Sequence, residues 1–220
     1  MRLRLTSVAA VPAFVALAAC STTGQPPTQP GRSAPPAISG RVSVVDGRTL
    51  YFPGHGRTVQ LVNINTCNLA QWAVIPPASR ADKPAPIPCG AKAKAWLARS
   101  IGTNKVQCSP AGYTAQGQFL AYCTVKEKDL ALEMLRVGLA VIDTPNPLRP
   151  EYFSVQADAV VKEYGIWSTF VLDMDEWRRR AVDQTPARQP IADYNLLADR
   201  GRDLTPPMIR RRNRPNTTSL

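Results

Sequence analysis

The sequence predicts an α+β fold, mainly β: a five-stranded OB-type barrel with about three helices packed on it. Two observations point there. Short apolar–polar alternations recur with turn signals between them, and helix-period segments stand between and after these runs rather than alternating with every strand. Length agrees, because 220 residues suffice for one ordinary domain plus appendages.

The elements follow in order. Ser39-Gly40-Arg41-Val42-Ser43-Val44-Val45 alternates as a strand, Asp46-Gly47 signals a hairpin turn, and Thr49-Leu50-Tyr51-Phe52 resumes the sheet. Val59 to Ile64 alternates again as a third strand. The stretch 73–88 is rich in proline and reads as an irregular surface loop closed by Cys89. Gly90 to Ile101 has helical spacing, with Ala91, Ala95, Leu97 and Ala98 as its expected buried face. Val106 and Cys108 mark a fourth strand and Phe119 to Val125 a fifth. Leu130 to Val137 is a second helix stopped by Gly138, and a third runs from about Pro150 to Tyr164, before Gly165-Ile166-Trp167.

The flanks are of another kind. Arg2 and Arg4 precede an apolar run from Val8 to Ala19, too short to span a bilayer and suited to the h-region of a secretory signal. Leu17-Ala18-Ala19-Cys20 has the form of a bacterial lipobox, so residues 1–19 are expected to be removed and Cys20 lipidated. Acyl chains there would hold the protein on a membrane at roughly 0.8 kcal/mol per buried methylene, and Ser21 fits sorting to the periplasmic face of an outer membrane. Residues 20–38 read as a disordered Pro/Ser/Thr-rich tether. Residues 170–220 read as a basic, largely disordered extension with a short helix at 173–182, acids first and bases last. Its end carries Arg210, Arg211, Arg212 and Arg214, which suit either contact with anionic lipid head groups, another anionic envelope component or nucleic acid, or a merely solubilising tail.

Charge is uneven in the same way. The formal total is +11, residues 39–169 hold 14 basic and 9 acidic side chains, and 204–220 hold four arginines and no acid. A single histidine, His55, argues against His-based metal or acid–base chemistry. Apart from Cys20 there remain Cys67, Cys89, Cys108 and Cys123, an even set that reads as two disulfides in an exported chain. Three pairings are open. Cys67–Cys89 would tie down the loop after the third strand, and Cys108–Cys123 would join neighbouring antiparallel strands; these two are expected. The absence of C-x-x-C spacing argues against zinc.

Three segments carry more: Val44-Val45-Asp46-Gly47-Arg48-Thr49, Gln60-Leu61-Val62-Asn63-Ile64-Asn65-Thr66-Cys67-Asn68, and Gly117-Gln118-Phe119-Leu120-Ala121-Tyr122. With Cys89-Gly90-x-x-Ala93, Asp129-Leu130, Val137-Gly138-Leu139-Ala140 and Gly165-Ile166-Trp167, their order and spacing resemble the thermonuclease (staphylococcal-nuclease-like) family over residues 39–169, about 60% of the chain. The resemblance implies the family's fold, and an activity in which one calcium ion, a carboxylate base and two arginines cleave a phosphodiester. Such chemistry needs charged oxygens for a hard cation, a base in reach of water and fixed guanidinium donors.

The resemblance places those roles on residues unable to perform them. The metal-binding aspartates fall on Arg48 and Asn65, the base on Asn68, and the two phosphate-binding arginines on Gln60 and Gln118. Asp46 and Thr66, the latter a backbone-carbonyl metal contact in the family, still match. The base-stacking tyrosines fall on Gln116 and Thr144. No catalytic or metal residues are therefore expected, and Arg48 is expected either to fill the metal position and pair with Asp46 or to point into solvent.

The reading this favours is an envelope-anchored binding or scaffolding module of this family without nuclease activity and without a cofactor. Tyr51, Phe52, Tyr113 and Phe119 are available to stack on a ligand or to pack in the core, and Trp96 and Trp167 are expected in the core. Two alternatives stand beside it. One is an active exported calcium-dependent endonuclease with a rearranged site, for which Asp46, Asp82 and Asp129 offer no suitable spacing; the other is a structural envelope lipoprotein.

Overall fold

The structure, a computed structural model, describes residues 36–75, 85–143 and 149–180. The expected signal peptide, Cys20, the tether up to residue 35, Asp82, Thr144 and the arginines 210–214 lie outside the described residues.

The chain opens with β1 (Ile38–Gly40) and β2 (Ser43–Val44), two pieces of one extended run broken at Arg41-Val42. The Asp-Gly turn leads to β3 (Thr49–Phe52), and a 3-10 turn at Pro53–His55 leads to β4 (Arg57–Leu61). Next come β5 (Ile64–Asn65), β6 (Ala73–Ile75), β7 (Ala85–Ile87) and α1 (Cys89–Ile101). The hairpin β8 (Val106–Tyr113) and β9 (Phe119–Val125) is followed by β10 (Lys128–Asp129), α2 (Leu130–Arg136), β11 (Val141–Ile142), α3 (Pro150–Val161) and α4 (Met174–Arg180).

The main sheet has the order β1-β8-β9-β4-β3-β2, antiparallel except where β4 meets β9. Its strands are largely those the sequence predicted, except that the third ends at Leu61 and Ile64 falls in β5, which pairs β11 in a separate sheet; the main sheet is not closed into the expected barrel. In the hydrogen-bonded order β1 and β2 stand at opposite ends, although they are consecutive pieces of the chain joined through Arg41 and Val42. Splitting the first run this way lets it pair with β8 by one part and β3 by the other.

Leu50, Phe52, Val59, Leu61 and Val106 of the sheet pack with Leu97 of α1, Met134 and Leu135 of α2 and Tyr152 of α3 in one core. Burial of each large apolar side chain contributes about 1.5–3 kcal/mol. On α1 the buried positions are Cys89, Ala93, Leu97 and Ile101, one stripe at spacing four, together with Gly90. Ala91, Ala95 and Ala98, expected inside, face out. Alanines carry too little apolar surface for composition to choose the face.

Two further differences matter. The ends of the stretch 73–88, expected to be irregular, pair as the antiparallel β6–β7 hairpin. The chain also stays packed beyond Thr169, where a largely disordered extension was expected. Phe170 exchanges backbone hydrogen bonds with Val74 at 2.8 Å each way, and Val171, Leu172, Met174 and Trp177 are buried. Trp177 lies with Ala70, Val74 and Leu172 in a small cluster of its own. The aromatic content of Phe170 and Trp177 was the sequence signal for this packing.

The disulfides are Cys67–Cys89 and Cys108–Cys123, with Cα separations of 5.8 and 4.1 Å. Cys108 and Cys123 are direct cross-strand partners on β8 and β9, and each bridge removes about 3 kcal/mol of denatured-chain entropy. Beside the first bridge, α1 comes so close to the loop after β5 that a Cβ on Gly90 would stand 1.8 Å from the Asn68 carbonyl oxygen. Only glycine fits there, and the approach fixes the Asn68 loop against the helix.

Candidate functional site

A cleft of about 670 Å³ brings together Asp46, Arg48, Gln60, Thr66, Asn68 and Gln118. These are the positions the resemblance singled out, drawn from the β2–β3 turn, β4, the loop after β5 and the β8–β9 hairpin. The turn is built locally: the Asp46 carboxylate accepts the Arg48 backbone N–H at 2.9 Å, closing the tight loop by an Asx-type bond. Gly47 sits under it, where a Cβ would come within 2.8 Å of the Thr66 hydroxyl.

Arg48 turns into the cleft. Its Nη1 donates to the Ile64 carbonyl at 3.3 Å and lies 3.8 Å from the Asp143 carboxylate. The ion pair is thus with Asp143 of the segment after β11; the expected partner, Asp46, is engaged by the backbone of the same arginine. The Gln60 carboxamide, oriented with its oxygen toward the guanidinium, accepts from Nε at 3.0 Å and Nη2 at 3.3 Å. Burial, and next the charge of Arg178, push the Arg48 guanidinium below its ordinary pKa, while Asp46, Asp143 and Asp175 pull the other way. Burial likewise raises the Asp143 carboxyl, against the pull of Arg48.

The other wall holds a residue the sequence reading did not select. Arg178, from α4, donates from Nη1 to Asn68 Oδ1 at 3.1 Å and from Nη2 to Asn65 Oδ1 at 3.4 Å. It is also ion-paired with Asp175 one turn earlier. Asn65 Oδ1 further accepts the Thr66 backbone N–H at 3.1 Å. Asn68 uses its other end as well, donating from Nδ2 to the Met174 carbonyl at 3.3 Å. Behind it the fully buried Gln71 accepts from Asn68 and donates from Nε2 to the Leu172 carbonyl at 2.8 Å. Asp143, Asp175, Arg178 and Gln71 were therefore missed. The i,i+3 spacing of Asp175 and Arg178 beside Trp177 was the available signal, and it was read only as suiting a helix dipole.

Gln118 and Gln116 stand exposed on the cleft rim, and the Gln118 backbone N–H donates to the Thr114 hydroxyl at 3.1 Å. Of the aromatics, Phe52 and Phe119 are buried, whereas Tyr51 and Tyr113 are 38% and 37% exposed. Trp167 is buried, as expected of a core residue, and Trp96 is partly buried, donating from Nε1 to Glu133 at 3.1 Å.

The calcium ion that such a cleft implies does not fit this donor set. Two guanidiniums enter the cleft, Asn65 Oδ1 already serves an N–H and Arg178, and Asp143 is paired with Arg48. A calcium ion takes about six to eight oxygen ligands, carboxylates among them, and these must not already be engaged by cationic side chains. Among the described residues no group of three or more His, Cys, Asp or Glu side chains converges as a metal site requires.

A family model described as staphylococcal nuclease homologue matches residues 58–169, just over half of the chain. It takes in Gln60, Asn65, Asn68 and Gln118 and begins after Arg48. No curated protein sequence matches the chain.

Proposed function

We infer, for a chain that belongs to the staphylococcal nuclease homologue family, that it is a member without nuclease activity, serving as a binding or scaffolding module in the bacterial cell envelope. The observation that carries the reading is the polarity of the cleft. A guanidinium stands where the metal carboxylate is expected, and amides stand at the positions of the base and of both phosphate-binding arginines. A neutral carboxamide cannot take a proton from water at neutral pH. Loss of one fixed transition-state donor alone costs about 3–4 kcal/mol in the barrier, and here both arginine positions are glutamine. Arg48 is moreover committed to Gln60, Ile64 and Asp143, so it is not free to replace them.

Anchoring belongs to the same proposal. Cys20 would carry the lipid, the residues between it and β1, which already includes the buried Ile38, would give reach, and the terminal arginines would contact an anionic partner in the envelope or nucleic acid. The test of activity is the full chain with DNA or RNA and millimolar calcium, reading release of acid-soluble nucleotide. No release above a heat-denatured control is expected, and chelator-sensitive cleavage would overturn the reading in favour of an active phosphodiesterase. The anchor is checked separately: Cys20→Ala should move the protein from the membrane fraction to the soluble one.

A further inference from the structure

We propose that the cation position of the cleft is filled by the protein itself, with Arg178 of α4 as resident occupant and Asn65 and Asn68 as its receptor. The proposal rests on the non-catalytic reading above and explains why an amide rather than a carboxylate stands at position 68. Asn68 needs both ends of its side chain: Oδ1 receives the Arg178 guanidinium, and Nδ2 donates to the Met174 carbonyl of the same helix. A carboxylate at 68 could accept from Arg178 but would face the Met174 carbonyl with no proton to give. Gln71 repeats the arrangement one step back, clasping Asn68 on one side and the Leu172 carbonyl on the other. Amide, guanidinium and helix backbone thus form one matched set.

The helix is held firmly enough to present its arginine. Trp177 is 1% exposed and lies against Ala70, Val74 and Leu172, and the Val74–Phe170 bridge fixes the approach of the segment. Asp175 stays beside Arg178 as a counter-charge, so a guanidinium already paired enters a cleft that Arg48 also occupies. The consequence is specific. Restoring the five family residues is not enough to restore a metal site, because Arg178 competes for it.

The experiment compares two full-chain variants by calorimetric calcium titration. The first carries Arg48→Asp, Gln60→Arg, Asn65→Asp, Asn68→Glu and Gln118→Arg; the second adds Arg178→Ala. The second should bind calcium about tenfold more tightly or better, because a resident competitor lowers apparent affinity by the fraction of open sites. Equal affinity in the two would overturn the proposal and leave the non-catalytic reading intact, whereas cleavage by the unaltered chain would overturn that reading instead. Should the second variant fail to fold, Arg178→Ala alone in the natural background decides. Its thermal midpoint should fall and be recovered by low-millimolar methylguanidinium but not by methylammonium. No recovery, or equal recovery by both ions, would count against a guanidinium receptor.

Discussion

The cleft and the corner around Asp129 show two ways of handling polar groups within one fold. In the corner a carboxylate is kept inside, with its side chain 7% exposed. Asp129 Oδ1 accepts the N–H groups of Ala131 and Leu132 at 2.8 and 3.1 Å, capping α2, and Oδ2 receives Tyr152 Oη at 2.7 Å and Arg149 at 3.2 Å. Burial, then the charge and hydrogen bond of Asp129, push the Tyr152 phenol far above its ordinary value, so it remains a donor at any ordinary pH. Arg149 also lies 4.8 Å over the Tyr122 ring. In the cleft the comparable inner positions are Gln60 and Asn65, and the carboxylates of Asp143 and Asp175 are left more exposed. The fold can therefore host a buried carboxylate. In the cleft the guanidiniums of Arg48 and Arg178 are received by amides, Gln60 for the first and Asn65 and Asn68 for the second.

This contrast can be broken most severely at Trp177. Trp177→Ala should destabilise the chain by about 3–5 kcal/mol through an unfilled cavity, read by thermal or denaturant unfolding. A cost below about 1 kcal/mol would mean that α4 is not anchored beside the cleft. Asp129→Ala comes next. It removes a helix cap and leaves the Tyr152 hydroxyl and Arg149 without their carboxylate, an expected loss of about 3 kcal/mol. Asn68→Ala should cost about 1–2 kcal/mol, because only amide contacts are lost and Arg178 keeps Asp175. If it cost more than Asp129→Ala, the ranking of the two regions would be reversed.

The smallest effect concerns acid. Glu133 is held below its ordinary value of 4.5, mainly by its hydrogen bond from Arg136 and against desolvation. A depressed carboxyl contributes stability above its ordinary pKa and loses it as pH falls through the lower folded value. Glu133→Gln should therefore flatten the acid limb of the unfolding curve below pH 4.5, by no more than about 0.5 kcal/mol at so exposed a pair. Asp143 works in the opposite sense. Its raised pKa means that protonation favours the folded chain, so its contribution grows as pH falls toward 3.8 and is lost as pH rises through the folded value. Asp143→Asn should remove that gain, so the variant's unfolding curve should show less stabilisation on acidification over that window.

The strands were legible where they alternate, as in β3, where Leu50 and Phe52 go inside while Tyr51 faces out. Both disulfides were legible once Cys108 and Cys123 were placed on adjacent strands. The buried face of α1 was not, since three exposed alanines and one buried one look alike in composition. The sheet's open order was not either, because a ladder is decided by which distant strand comes to lie beside β1. At the candidate site Arg48, Gln60 and Asn68 could be named from spacing along the chain. Asp143 and Arg178 could not, being separated from those positions by 95 and 110 residues respectively.

By itself the sequence determined which side chains stand at the positions that the family resemblance singles out. An amide has no basic oxygen and a guanidinium attracts no calcium, wherever the chain carries them. Only the tertiary structure decided how those groups are satisfied: Arg48 against Gln60 and Asp143, Asn65 and Asn68 against a helix that follows the family match. The reason is physical. Ionisable character is a property of a residue, but a hydrogen-bond partner 110 positions away is chosen by the burial of Trp177, which brings α4 to the cleft.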